Sequence, residues 1–224
     1  MAGSEIVRLA VFDCDGTLAD GQAAICTAME QAFADTGLLP PERHAVRRIV
    51  GLSLPVAIRQ LVPDAPEDQL LAAVEAYKTA FRAARLDGSL HEPLFDGIAP
   101  MLRRLHEAGW MLGVATGKSH RGLTSLLAAN QLSPLFATLH TADYHPSKPH
   151  PAMLEAAMDA VLAAPSATLM IGDTVYDMQM AVAAGTRAIG VAWGYHEVAE
   201  LLSAGAEAVA QTPEELEAMI NAGT

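Results

Sequence analysis

Residues 6–20 read IVRLAVFDCDGTLAD. A run dominated by apolar residues ends abruptly in two aspartates, Asp13 and Asp15, with one cysteine between them. Apolar residues that do not alternate with polar ones mark a strand covered on both faces, the situation in parallel sheets flanked by helices. In a strand, residues i and i+2 point to one side. Asp13 and Asp15 are therefore expected on a common face, with Cys14 on the other. Open α/β sheets bind ligands outside the carboxyl ends of their strands, and the two acids stand at such an end. Gly16 follows, a residue that lets the backbone turn sharply or approach a ligand closely.

Outward from this stretch, further short strand-like runs lie at 111–115, 137–141, 168–171 and 188–192, with a weaker one at 207–210. Helical patterns separate them at 98–108, 119–130, 150–163, 176–184 and 213–222. The alternation predicts an α/β fold, a doubly wound parallel sheet of Rossmann-like type. Residues 19–89 break the rhythm. They hold no convincing strand but several amphipathic helices, such as 69–86, where Leu70, Val74, Tyr77 and Phe81 recur at helical spacing. The turn signals GLLPPE and VPDAPED separate these helices. The expected organisation is a core of residues 1–18 and 90–224 with a small helical domain, 19–89, inserted after the first strand.

Other predicted strand ends carry polar residues as well. The strand at 111–115 runs into Thr116, Gly117 and Lys118; that at 168–171 runs into Gly172, Asp173 and Thr174, with Asp177 beyond. The strand at 137–141 leads to Lys148, just before a proline-rich helix start. Asp13, Asp15, Asp173 and Asp177 would crowd four negative charges into one cleft. Two such charges about 4 Å apart repel by roughly 4 kcal/mol at an effective dielectric near 20. A hard divalent cation removes that cost, and Mg²⁺ takes carboxylates, waters and phosphate oxygens. Thr116, Gly117 and neighbouring amides offer donors to a phosphate.

The bulk composition narrows the classes. The chain has 224 residues, 51% hydrophobic and 18% charged, with a net charge of −12. That is enough apolar material for a large core, and the acidic balance opposes nucleic acid and anionic membranes. The two cysteines, Cys14 and Cys26, are too few for a disulfide framework. No signal-peptide pattern opens the chain and no apolar run reaches the ~18 residues of a membrane span. A cytoplasmic protein, monomeric or homodimeric, is expected.

The segments DCDGT, TGK, KPHP and GDTVYDM, in this order, resemble the four motifs of the haloacid dehalogenase-like hydrolases. The inserted helices are similar to that family's C1 cap, in the group of phosphoglycolate phosphatases and β-phosphoglucomutases. The resemblance implies that Asp13 is a nucleophile forming an aspartyl-phosphate, and that Asp15 protonates the leaving alcohol and then activates water. It gives Thr116, Gly117 and Gly16 to the phosphoryl pocket, Lys118 to the substrate side and Lys148 to charge neutralisation. It places Mg²⁺ on Asp13, the Asp15 carbonyl and Asp173, with Asp177 as a further partner. An aspartate at position 15 favours phosphate esters over haloacids, because halide leaves without a proton. The implied activity is Mg²⁺-dependent hydrolysis of a small phosphorylated metabolite of phosphoglycolate type.

Rival readings belong beside this one. A sugar-phosphate mutase of the β-phosphoglucomutase type would carry a histidine soon after the first motif, and DGTLADGQAAI has none. A phospho-accepting signalling domain would be shorter and lack the insertion, and a binding module would not need all four motifs. Lys118 reads equally as a solvated lysine at a helix start. Arg47 and Arg82 read as solvated faces or as binders of a substrate anion. His140, His145 and His150, evenly spaced, read as a solvated loop rather than a zinc site. GLSL at 51–54 reads either as a helix boundary or as a cap loop reaching the active site.

Overall fold

The computed structural model describes residues 6–222. Residues 1–5, on which part of the signal-peptide reading rests, lie outside the described residues. The chain forms β1 (Leu9–Phe12), then four helices, α1 (Gln22–Asp35), α2 (Arg43–Arg48), α3 (Leu54–Leu61) and α4 (Glu67–Leu86). It continues through α5 (Ile98–Glu107), β2 (Met111–Thr116), α6 (His120–Ala129), β3 (Phe136–Thr141) and α7 (Ala152–Val161). It ends with β4 (Thr168–Gly172), α8 (Val175–Ala184), β5 (Arg187–Val191), α9 (Val198–Ser203), β6 (Ala208–Ala210) and α10 (Pro213–Ala222).

All six strands are parallel and lie in the order β3-β2-β1-β4-β5-β6. The alternation along β1 explains the two-sided cover. Ala10 and Phe12 join the core under α5, α6 and α10, while Leu9 and Val11 join the core under α7 and α8. Each fully buried Leu, Val or Phe among them contributes about 1.5–3 kcal/mol. β1, β2 and β3 run to one side and β4, β5 and β6 to the other. The order thus reverses between β1 and β4, the crevice where doubly wound sheets bind their ligands.

Two sequence expectations need correction in detail. β1 begins at Leu9 rather than residue 6, and α7 spans 152–161 rather than 150–163. At its far end Leu162 turns left-handed with φ 58°, which stops the helix.

Helices α1–α4 bury one another. Ile25, Met29 and Phe33 of α1 meet Leu70, Ala73 and Val74 of α4 in a separate apolar cluster, with Tyr77 and Phe81 at its edge. The chain enters and leaves this helical segment side by side. The Phe95 amide donates to Leu18 O at 3.1 Å and the Asp20 amide to Pro93 O at 2.8 Å. The segment is also tied to the sheet layer. Arg48 makes a bidentate pair with Glu200, 2.7 Å on each arm, and Tyr176 donates to Arg48 O at 3.2 Å. Among the described residues no helix is long and apolar enough to cross a membrane.

Candidate active site

β1 lies between β2 and β4, so its carboxyl end brings Asp13 between Thr116 and Asp173. The Asp13 amide still donates to Ile171 O at 2.9 Å, one step past the strand. The Asp13 side chain is wholly buried. Its Oδ1 accepts from the Cys14 amide at 2.7 Å and from Lys148 Nζ at 2.9 Å, whereas Oδ2 has no hydrogen-bond partner among the described residues. Asp173 is equally buried; its Oδ1 accepts from Thr17 Oγ1 at 2.7 Å and its Oδ2 from the Tyr195 amide at 3.0 Å. Asp177 caps α8, accepting from the amide and hydroxyl of Thr174 on Oδ2 and from Lys148 at 2.6 Å on Oδ1.

Side-chain oxygens of Asp13, Asp173 and Asp177 gather within 4.8 Å of one another. Against them stands one buried ammonium, Lys148, leaving a formal charge of −2 if all three carboxyls ionise. Burial pushes the Asp13 carboxyl up to about 6, with Lys148 opposing and Asp177 reinforcing. Burial, then Asp13 and Asp177, raises Asp173 well above the ordinary carboxylate range. Burial alone would lower Lys148, but Asp13 and Asp177 more than offset it and hold the ammonium charged. Such a site keeps protons or takes up a cation. The residues present fit a divalent metal: the charge deficit matches, all ligands are hard oxygens, and Asp13 Oδ2 is buried without a partner. Asp177 already pairs with the Lys148 ammonium, whereas Asp173 accepts only from neutral donors, Thr17 Oγ1 and the Tyr195 amide, so Asp13 and Asp173 are the better placed ligands.

The Asp15 carboxylate leaves this trio. The i, i+2 expectation holds only in extended chain, and here the chain turns at once: Gly16 has φ +88° and the Leu18 and Ala19 amides both donate to Cys14 O. Asp15 instead pairs with Lys118 Nζ at 2.9 Å, and Glu92 holds the same nitrogen at 2.5 Å. The two carboxylates raise the Lys118 ammonium against the opposing effect of burial. Lys118 is therefore not a solvated helix-start residue; its side chain is 6% exposed and lies 5.6 Å from the Phe81 ring. Cys14 is buried among apolar neighbours on the opposite side, as its alternation suggests.

Thr116, Gly117 and Lys118 all line the cleft beside Asp15. A Cβ on Gly117 would sit 2.5 Å from Leu52 O and 2.6 Å from Gly51 O, so the GLSL loop reaches the candidate site. The Ser53 amide donates to Ser147 Oγ at 2.8 Å, next to Lys148. Arg82 lines the cleft and Arg47 does not. His140 and His145 pair with each other at 3.0 Å, and Thr138 Oγ1 lies 2.6 Å from His140; His140 is half-buried on β3 rather than in a solvated loop.

Sequence reasoning missed Glu92, Thr17, Gly194 and Tyr195. Glu92 carries no spacing signal. Gly194 and Tyr195 follow β5, where the carboxyl-edge rule applied to one more strand would have found them. A Cβ at Gly194 would lie 2.2 Å from Asp173 Cβ, and one at Gly16 2.2 Å from Asp173 Oδ2. Two glycines thus leave the room in which Asp173 is seated.

Known proteins resemble this chain over most of its length. A family model described as haloacid dehalogenase-like hydrolase matches residues 10–191. The chain is 37% identical to the probable phosphatase IndB of Dickeya dadantii over 91% of this chain and 89% of that one. It is 30% identical to a phosphoglycolate phosphatase of Pseudomonas fluorescens, over 84% of this chain and 71% of that one. Its fold is similar to that of a haloacid dehalogenase-like family hydrolase from Streptococcus pneumoniae, with TM-score 0.82, 25% identity and coverage of 95% and 98%.

Proposed function

The chain belongs to the haloacid dehalogenase-like hydrolases, and on that premise we propose that it is a Mg²⁺-dependent phosphatase of small phosphorylated metabolites. The observation that carries the proposal is the pairing of a buried, unpartnered carboxylate oxygen on Asp13 with the Asp173 carboxylate and one buried lysine. Residues 19–89 act in this reading as a cap over the cleft, and a cytoplasmic setting suits the acidic, low-cysteine composition.

Asp13 attacks phosphorus, and the bond from phosphorus to the leaving alcohol oxygen breaks as the aspartyl-phosphate forms. Asp15 gives the alcohol its proton and then takes one from the water that cleaves the acyl phosphate. Lys118 and Glu92 orient Asp15 for both transfers. Thr116 and the Gly117 amide sit beside the equatorial oxygens, and Lys148 fixes the Asp13 rotamer while balancing its charge. Mg²⁺, held by Asp13 and Asp173 with the Asp15 carbonyl, would polarise the phosphoryl group and cancel the remaining negative charge.

The test is phosphate release from p-nitrophenyl phosphate and phosphoglycolate by purified protein, with Mg²⁺ and with chelator. Turnover should need the cation, and Asp13→Asn should lower it by on the order of 10³ or more while keeping the wild-type circular dichroism. Equal rates in wild type and variant would remove Asp13 from the nucleophile's role. Formation of an isomer from a hexose 1-phosphate, instead of free phosphate, would make the protein a mutase.

A further inference from the structure

The cleft beside Asp15 widens into a cavity of about 450 Å³ between the helical segment and the sheet edge. Pockets of about 300–1,000 Å³ suit drug-sized ligands; a two-carbon acid phosphate would leave most of this one filled with water. Its wall on the α1–α4 side is apolar, formed by Ile25, Met29, Leu54, Tyr77 and Phe81. Tyr77 and Phe81 stack with ring centroids 5.3 Å apart, presenting a continuous aromatic surface.

The charges on the lining are the second observation. Lys118 cannot serve as anchor for a distant anion, because Asp15 and Glu92 already neutralise it. Lys78 also lines the cavity but is paired with Glu75 at 2.7 Å. The remaining cations are Arg82 and Arg85 on α4 and Arg121 on α6. Among the described residues none of the three has a carboxylate within ion-pairing distance, although Asp143 lines the same cavity and the chain carries 26 acidic residues against 14 basic ones. Three guanidiniums outside any ion pair among the described residues, exposed or half-buried along one cavity, offer forked donors that suit planar anions such as carboxylate or phosphate.

Resting on the phosphatase reading above, we infer that the substrate is a phosphate monoester whose alcohol carries an extended, largely apolar body and a second anionic group. The body lies on Tyr77 and Phe81, and Arg82, Arg85 and Arg121 hold the second anion. Burying apolar surface there favours binding, a gain that phosphoglycolate forgoes.

The experiment compares 4-carboxyphenyl phosphate, phenyl phosphate and phosphoglycolate as substrates, and 4-carboxybenzylphosphonate with benzylphosphonate as non-hydrolysable ligands by calorimetry, all with Mg²⁺. The carboxylated aryl ester should exceed both other esters in kcat/KM by tenfold or more, and the carboxylated phosphonate should bind at least tenfold tighter than the plain one. In the triple variant Arg82→Ala, Arg85→Ala, Arg121→Ala both ratios should fall towards one. General damage to the fold would lower both members of each pair and leave the ratios standing. A preference for phosphoglycolate, or ratios unmoved by loss of the arginines, overturns the inference. Selective phosphonate binding without hydrolysis of any ester would support it while overturning the phosphatase reading alone.

Discussion

Lys148 donates to Asp177 at 2.6 Å with both side chains wholly buried, and the same nitrogen lies 2.9 Å from Asp13. The ammonium is thus a strut between the cap of α8 and the proposed nucleophile. Breaking a buried pair by removing one partner costs about 3–5 kcal/mol, because the other charge stays buried without compensation. Lys148→Met, close in volume and uncharged, should lose that much in urea unfolding and should be almost inactive. A midpoint unchanged from wild type would mean that the two aspartates find other compensation, and the strut would be no strut.

Gly194 touches the other half of the site. Its missing Cβ would fall 2.2 Å from Asp173 Cβ, closer than atoms can approach. Gly194→Ala should therefore displace Asp173 and weaken Mg²⁺ binding by tenfold or more, as read by calorimetry. Gly185→Ala is the control: it sits in a left-handed C-cap with open space around it. That change should cost about 1–2 kcal/mol of stability, the strain of a side chain in the left-handed region, and leave the metal affinity as it was.

The difference between legible and hidden residues has a physical origin. Asp13, Thr116 and Asp173 were readable because each ends a strand whose apolar run announces it, and the carboxyl-edge rule then gathers them without knowledge of side-chain contacts. The burial of Lys118 was not readable. A lysine after a Thr-Gly pair looks solvated until α4 lays Phe81 across it and Glu92 returns from the end of the insertion. Such contacts arise between segments distant in sequence, and no periodicity encodes them. The departure of Asp15 from the Asp13 face has a local cause: the i, i+2 rule stops where the strand stops, at Phe12.

Metal binding should release protons. Burial lifts Asp13 to about 6 and Asp173 well above its usual range, so the metal-free protein holds protons there that a cation must expel. Carboxyls raised in the folded state favour folding only while protonated; their contribution is greatest below the unfolded value of 3.8 and is lost as pH rises through about 6. Mg²⁺ replaces the protons, so its stabilising shift in melting temperature should be larger at pH 7.5 than at pH 5. Calorimetry in buffers of different ionisation enthalpy should give different apparent heats. An Mg²⁺ shift of equal size at both pH values, with buffer-independent heats, would show that the carboxyls are already ionised before the metal arrives.

The close approach of Gly117 to the loop at 51–54 predicts how the helical segment and the sheet edge cooperate. A Cβ at position 117 would press on two backbone carbonyls, Leu52 O at 2.5 Å and Gly51 O at 2.6 Å. Backbone cannot rotate aside as a long side chain can, so Gly117→Ala must push the loop outward or tilt the Thr116–Lys118 turn. Either movement opens the side of the cleft where, in the proposed reaction, the alcohol leaves, while Asp13, Asp173 and Lys148 stay on their own elements. The expected result is a KM raised about tenfold or more with a smaller loss in kcat, since positioning suffers more than the chemical groups themselves. Mg²⁺ affinity should remain that of wild type. Should kcat collapse with KM unchanged, the loop would be acting on the reacting groups rather than on substrate closure, and the contact would belong to catalysis.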